Sequence, residues 1–183
     1  TGFFAITANF MALYMGLTML AGVAGVVFAN RLFLKLSWCK VTVMKLALLG
    51  SLVPNALLLV VPRQWWEASL LLIMAANFFH MMFIPLLFSA IPDTVDYGLK
   101  MIGRGAMAMF FAGQLFALKM GISVGGGSAG WILGMFGYEA NVEQTERSLQ
   151  GIKFAFAGAP LVAAILVVIL LQFYKLKKGW EHK

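Results

Sequence analysis

Apolar residues run along this chain in five long stretches, set apart by short polar ones. They cover about 6–29, 41–61, 68–91, 105–137 and 152–174, and about 20 apolar residues suffice to cross roughly 30 Å of hydrocarbon. The pattern predicts an all-α fold: one domain over residues 1–183, a polytopic transmembrane bundle of five helices. In the first stretch Gly16, Ala21, Gly22, Ala24 and Gly25 suit close helix contact. The second carries Pro54 and Asn55, and the third His80 and Pro85. The fourth would measure about 48 Å as a straight helix, more than one crossing requires. It must tilt, protrude or break, and Gly125-Gly126-Gly127 is where irregularity is expected. A polar loop is expected from Tyr138 to Gln150, and the basic tail from Lys175 to Lys183 should lie at the membrane surface. No repeat of 20 to 50 residues is evident.

Composition supports the membrane reading. The chain is 62% hydrophobic and 11% charged, with mean hydropathy +0.89. Soluble domains run near half apolar and a quarter charged. The net charge of +7 therefore does not point to nucleic acid; its distribution has a membrane explanation. Arg31, Lys35, Lys40 and Lys45 flank the first connection, Lys100 and Arg104 the third, and Lys175, Lys177, Lys178 and Lys183 fill the tail. The opposite face has only Arg63 and Arg147, with Lys153 at the edge of the fifth stretch. By the positive-inside rule the first face is cytoplasmic, with the C-terminus, and Thr1 starts outside. Lys45 is close enough to the interface to snorkel to water. Trp65 and Trp66 suit an interface. Cys39, the single cysteine, has neither a disulfide partner in the chain nor a metal-type spacing. No basic region precedes the first apolar run, so no secretory signal is expected there.

One of the most charged segments is Ile91-Pro92-Asp93-Thr94-Val95-Asp96-Tyr97-Gly98-Leu99-Lys100-Met101-Ile102-Gly103-Arg104. Asp93 and Asp96 are three apart and share a face if helical. If the third helix simply continues, they sit at its C-terminal end, where the dipole disfavours anions. If Pro92 starts a new short helix, they sit at a favourable N-terminus. Both readings leave cations within reach. Taken alone, the segment reads as a solvated loop between two spans.

Asp93, Asp96, Tyr97, Gly98, Lys100 and Arg104 reproduce a pattern of Asp-x-x-Asp-Tyr-Gly, then a basic residue and an Arg eight positions after the second Asp. The segment resembles the loop between the tenth and eleventh helices of the glycoside-pentoside-hexuronide:cation symporters, the melibiose-permease group of the major facilitator superfamily. The resemblance continues through Gln114, Lys119, Gly125 to Gly127, Gly137-Tyr138, Asn141, Gln144 and Gly151-Ile152. Leu99 stands where an acid is common, and Ala106 where Glu or Asp usually follows the Arg. The charge network expected here is therefore smaller than the family's. The resemblance implies that the chain is the C-terminal half of such a transporter. It would start at or just before the eighth helix, with an N-terminal half expected elsewhere.

Lys119 lies about 21 Å into the fourth stretch, near the bilayer midplane. A Lys at that depth marks an ion or substrate pathway, and snorkelling is implausible from there. The five stretches contain no interior carboxylate to pair with it. The resemblance implies that acids of the N-terminal half form the cation site and meet this Lys. Gln114 lines the sugar pathway by the same resemblance, since an amide both donates to and accepts from hydroxyls. The bland alternative for Gln114 is a bond to a neighbouring helix. Ser123, four after Lys119, shares its face. His80 is alone among potential metal ligands and reads best as bonded to a neighbouring helix. Asn9, Tyr14, Thr18 and Asn77 read as packing contacts or pathway lining.

The function expected from the resemblance is symport of a sugar or glycoside driven by Na⁺ or H⁺, by alternating access across the inner membrane. Gln114, Lys119 and Ser123 belong to the substrate pathway. Asp93, Asp96, Tyr97, Lys100 and Arg104 form a cytoplasmic gate, using charge-assisted contacts that can be exchanged between states. No metal, cofactor or enzymatic activity is expected. The partners are the substrate, the coupling ion, the bilayer and the N-terminal half. One alternative is a remnant that folds without transporting. Another is a membrane enzyme holding a metal at Asp93 and Asp96, disfavoured because neither a His nor a further carboxylate lies nearby in the sequence.

Overall fold

The computed structural model describes residues 2–35, 40–62, 65–102, 107–140, 142 and 144–174; of residues 2–11, 33–35, 101 and 102 it describes the backbone alone. Among these the chain is helical, without a strand. The elements are α1 (Gly2–Lys35), α2 (Lys40–Val60), α3 (Trp66–Ile102), α4 (Met107–Met135), α5 (Glu146–Lys153), a π-helical segment (Phe154–Gly158) and α6 (Ala159–Leu170). The last three form one continuous helical run, so five helices are long and apolar enough to cross a membrane. The all-α, five-span expectation holds.

Several ends and breaks differ from those expected, and α1 for one runs past Ala29 to Lys35. The third helix does not stop near Ile91; α3 continues through Pro92 to Ile102. Proline removes one N–H from the ladder, whereas ending the helix there would leave a full turn of carbonyls open. At about 55 Å, α3 is longer than a bilayer core is thick. The triple glycine does not break α4, which runs unbroken through Gly125–Gly127. Glycine weakens a helix, but in apolar surroundings the only partners for its backbone groups are its own helical ones. The Ser128 hydroxyl adds a bond to the Gly125 carbonyl at 2.9 Å. The expected loop from Tyr138 to Gln150 closes early, because α5 starts at Glu146. Thr145 caps it, accepting from the Ser148 N–H at 3.2 Å.

The chain divides into two compact units: Ser89–Pro160, and the residues before and after it. The core of the latter joins α1, α2, α3 and α6 through Ala29, Leu32, Val43, Met44, Ala47, Leu48, Met82, Phe83, Leu86 and Ala164. Glycines let its backbones meet. A Cβ on Gly25 would strike the Phe78 carbonyl, and one on Gly22 would lie 2.9 Å from both Asn77 Nδ2 and Met81 Cγ. In the space left at Gly22, Asn77 Nδ2 reaches the Thr18 carbonyl and donates to it at 2.6 Å. Gly50 faces the ring of Phe79, which meets Phe78 edge-on at 5.3 Å. Buried Ser51 and Asn55 are satisfied within α2, donating to the carbonyls of Leu48 and Ser51 at 2.7 and 2.8 Å.

In the other unit the turn after α4 is tightly specified. Gly137 adopts φ of 73°, a left-handed conformation that glycine takes without strain. The Tyr138 N–H donates to Leu133 and the Gly137 N–H to Gly134, both at 3.0 Å, closing the end of α4. The Gln144 amide donates to the Glu139 and Val142 carbonyls, and its oxygen accepts from the Ser148 hydroxyl at 2.7 Å. Arg147 Nη2 donates to the Met135 carbonyl, and Gly151 packs against Phe136.

Candidate transport site

The expected gate residues lie on helix rather than loop. Asp93, Asp96, Tyr97 and Lys100 all fall in the last turns of α3. Asp93, Tyr97 and Lys100 are spaced i, i+4, i+7 and share a face, while Asp96 and Lys100 form an i, i+4 acid-to-base pair. The first of the two readings for Pro92 is therefore the observed one: the carboxylates sit toward the C-terminal end, and Lys100 occupies the last turn. A cation there offsets both the dipole and the acids. Asp93 is half-buried, Val95 is buried, and Asp96, Tyr97 and Lys100 are exposed. Asp93, Tyr97 and Lys100 each have an interaction partner. The Thr94 hydroxyl donates to the Ala90 carbonyl at 2.9 Å, one turn back. Arg104, the remaining gate residue, lies outside the described residues, as do Ala106 and Asn141.

Lys119 stands near the middle of α4, about 18 Å along the axis from Met107 and about 24 Å from Met135. Its side chain is exposed in the chain, and so is that of Ser123 one turn on. None of α4's described residues is buried. Gly113, Gly121, Gly125, Gly126, Gly127, Gly130 and Gly134 have no atom within 4 Å of where a Cβ would stand. Among the described residues, then, the fourth helix carries its single cation on an uncovered surface. Gln114 is half-buried, and its Oε1 is buried without a hydrogen-bond partner among the described residues. The bland reading of Gln114, a bond from that oxygen to a neighbouring helix, is not realised there.

Of the other polar residues, Asn77 and Thr18 meet in a packing contact, as above. His80 is exposed on α3, and no bond to a neighbouring helix is seen among the described residues. Lys45 does more than snorkel: its Nζ donates to Gln172 Oε1 at 2.9 Å, tying the start of α2 to the residues just after α6. Nothing in the sequence hints at this bond, since the two residues are 127 positions apart. Likewise, Gly137, Gln144 and Gly151 prove to be the parts of a folded hairpin. The signal for them was present in the Thr145-Glu146-Arg147-Ser148 capping pattern and in the glycine after the apolar run.

The model of one protein family, described as MFS/sugar transport protein, matches residues 3–178. The inner membrane symporter YicJ of Escherichia coli is 30% identical over 137 residues, which are 74% of this chain and 30% of that protein. The putative glycoside/cation symporter YagG, also of Escherichia coli, is 37% identical over 93 residues, 50% of this chain and 20% of that protein. The isoprimeverose transporter of Lactiplantibacillus pentosus is 36% identical over 86 residues, 47% of this chain and 18% of that protein. The chain spans less than a third of the length of these relatives. No solved structure matches it. Together with five membrane-crossing helices, the match from residue 3 to residue 178 establishes that this chain belongs to the MFS/sugar transport protein family, among the glycoside-pentoside-hexuronide:cation symporters.

Proposed function

We propose that this chain works as part of a cation-coupled importer of a sugar or glycoside, resident in the bacterial inner membrane and operating by alternating access. The observation that carries the reading is Lys119, a cation midway along an apolar helix whose described residues are all left unburied by this chain. An ammonium at such a depth requires water or a carboxylate. A further set of helices, packed against α4, supplies that carboxylate and closes the cavity. Gln114, whose amide oxygen has no hydrogen-bond partner among the described residues, and Ser123 line the same pathway and bind sugar hydroxyls. Asp93, Asp96, Tyr97, Lys100 and Arg104 form the cytoplasmic gate, with the C-terminal tail on the same side. The relatives' names support a sugar or glycoside as cargo and a cation as its partner; that cation is Na⁺ or H⁺.

The test is uptake of labelled glycosides by vesicles containing the full-length protein, under a Na⁺ gradient and separately under a pH gradient. Accumulation that collapses when the effective gradient is dissipated supports symport. Equilibration that no gradient alters, or absence of uptake for every glycoside tried, removes the reading.

A further inference from the structure

The geometry points to a hinge built into the last membrane helix at Phe154–Pro160. Within the π-helical segment the Ala159 N–H donates to the Phe154 carbonyl, five residues back. In an α-helix that N–H would serve Ala155. In the π register the Ala155 carbonyl would instead be served by residue 160, which is proline and has no N–H. With the Ala159 N–H taken by Phe154, the Ala155 carbonyl has no helical donor; in the α register it is the Phe156 carbonyl, four before Pro160, that would lack one. Gly158 adds a second weakness. It has no side chain to brace the turn, and the Phe154 ring lies over it, 2.8 Å from where a Cβ would stand. A helix that lacks a rung and contains a π turn bends there more readily than elsewhere.

The two sides of this point are anchored separately. Below it, α5 is held to the end of α4 by Arg147 on the Met135 carbonyl and by Gly151 on Phe136. Above it, Ala164 is buried in the core with α2 and α3, Val167, Val168 and Leu171 pack against that core, and Gln172 binds Lys45. Bending at Phe154–Pro160 lets α5 and the α4 hairpin swing as one piece while α6 keeps its packing. What the motion serves, opening and closing the pathway along α4, rests on the transport reading above; the hinge itself does not.

The experiment is a pulsed electron paramagnetic resonance distance measurement on the full-length protein in lipid nanodiscs. Spin labels replace the exposed side chains Gln150 and Ile169, about 28 Å apart along a straight helix, in a background free of other thiols. A hinge gives a broad or two-peaked distance distribution, and Pro160→Ala, which restores the missing N–H, at least halves its width. A single narrow distribution with Pro160 in place, whatever glycoside or cation is added, overturns the hinge without recourse to the variant. A width unchanged by Pro160→Ala in protein that remains folded overturns it as well. Broad distances in a protein that takes up no glycoside leave the hinge standing and count only against the transport reading.

Discussion

Gly25 shows how little room a residue can have in this chain. Its missing side chain is what lets α1 touch the α3 backbone at Phe78. Gly25→Val forces the helices apart or strains them, and overpacking of this kind costs about 1–3 kcal/mol. Thermal unfolding in detergent should drop by several degrees, whereas Gly113→Ala, with nothing within 4 Å, should leave it level or slightly raised. Equal losses in both would mean that the α1–α3 contact is not made. Lys119 is the opposite case, a residue with room and no counter-charge near it in sequence. In the complete transporter Lys119→Ala should reduce coupled uptake at least about 100-fold, while the amount inserted in the membrane stays unchanged, because loss of one partner of a buried pair costs several kcal/mol. Uptake within twofold of the original would take Lys119 out of the pathway. The residue's depth was legible from its place in the apolar run. Its exposure was not, since that depends on which helices cover α4.

At the scale of elements, long apolar periodicity identified all five spans, and the polar ends misled. The third span was expected to stop near Ile91 because charge was read as loop, yet α3 carries Asp93, Asp96 and Lys100 beyond the length a bilayer covers. The first turn of α5 is polar for the same reason: it is helix outside the apolar run, marked by its Thr145 cap rather than by hydropathy. Gly125–Gly127 misled in the other direction, since propensity measured in water loses to the demand for backbone bonding in an apolar setting. The α4–α5 hairpin gives a test of turn chemistry. Gly137→Ala places a Cβ in the left-handed region, at a penalty of about 1–2 kcal/mol. Gln144→Leu strips donors from two carbonyls and leaves the Ser148 hydroxyl without its acceptor. Both variants should make the hairpin more open to protease in the folded protein, while the melting of the α1–α2–α3–α6 core stays put. Protection equal to the original in both would show that the turn does not hold the hairpin.

For the whole molecule the decisive quantity is which face each helix end occupies. Five crossings put the start of the second and the end of the fifth on one side. The Lys45–Gln172 bond joins those same two ends, so alternation of the helices and this contact agree. Charge then distinguishes the sides: ten of the fourteen cations belong to the connections and tail that the sequence places on the side of Lys45. Moving even a few of those charges through hydrocarbon is penalised by about 2.5–3.5 kcal/mol each at helix centres, which fixes orientation during insertion. A reporter fused after Lys183 should therefore be active only as a cytoplasmic enzyme, and a tag beside Val142 should react with a membrane-impermeant reagent from outside. Replacing Arg31, Lys35 and Lys40 with Gln should weaken the bias and yield a mixed population. Both tags on one side of the membrane would mean an even number of crossings between them. In that case the last helical run could not be a span, and the Lys45–Gln172 contact would have to form at a surface rather than between two helix ends.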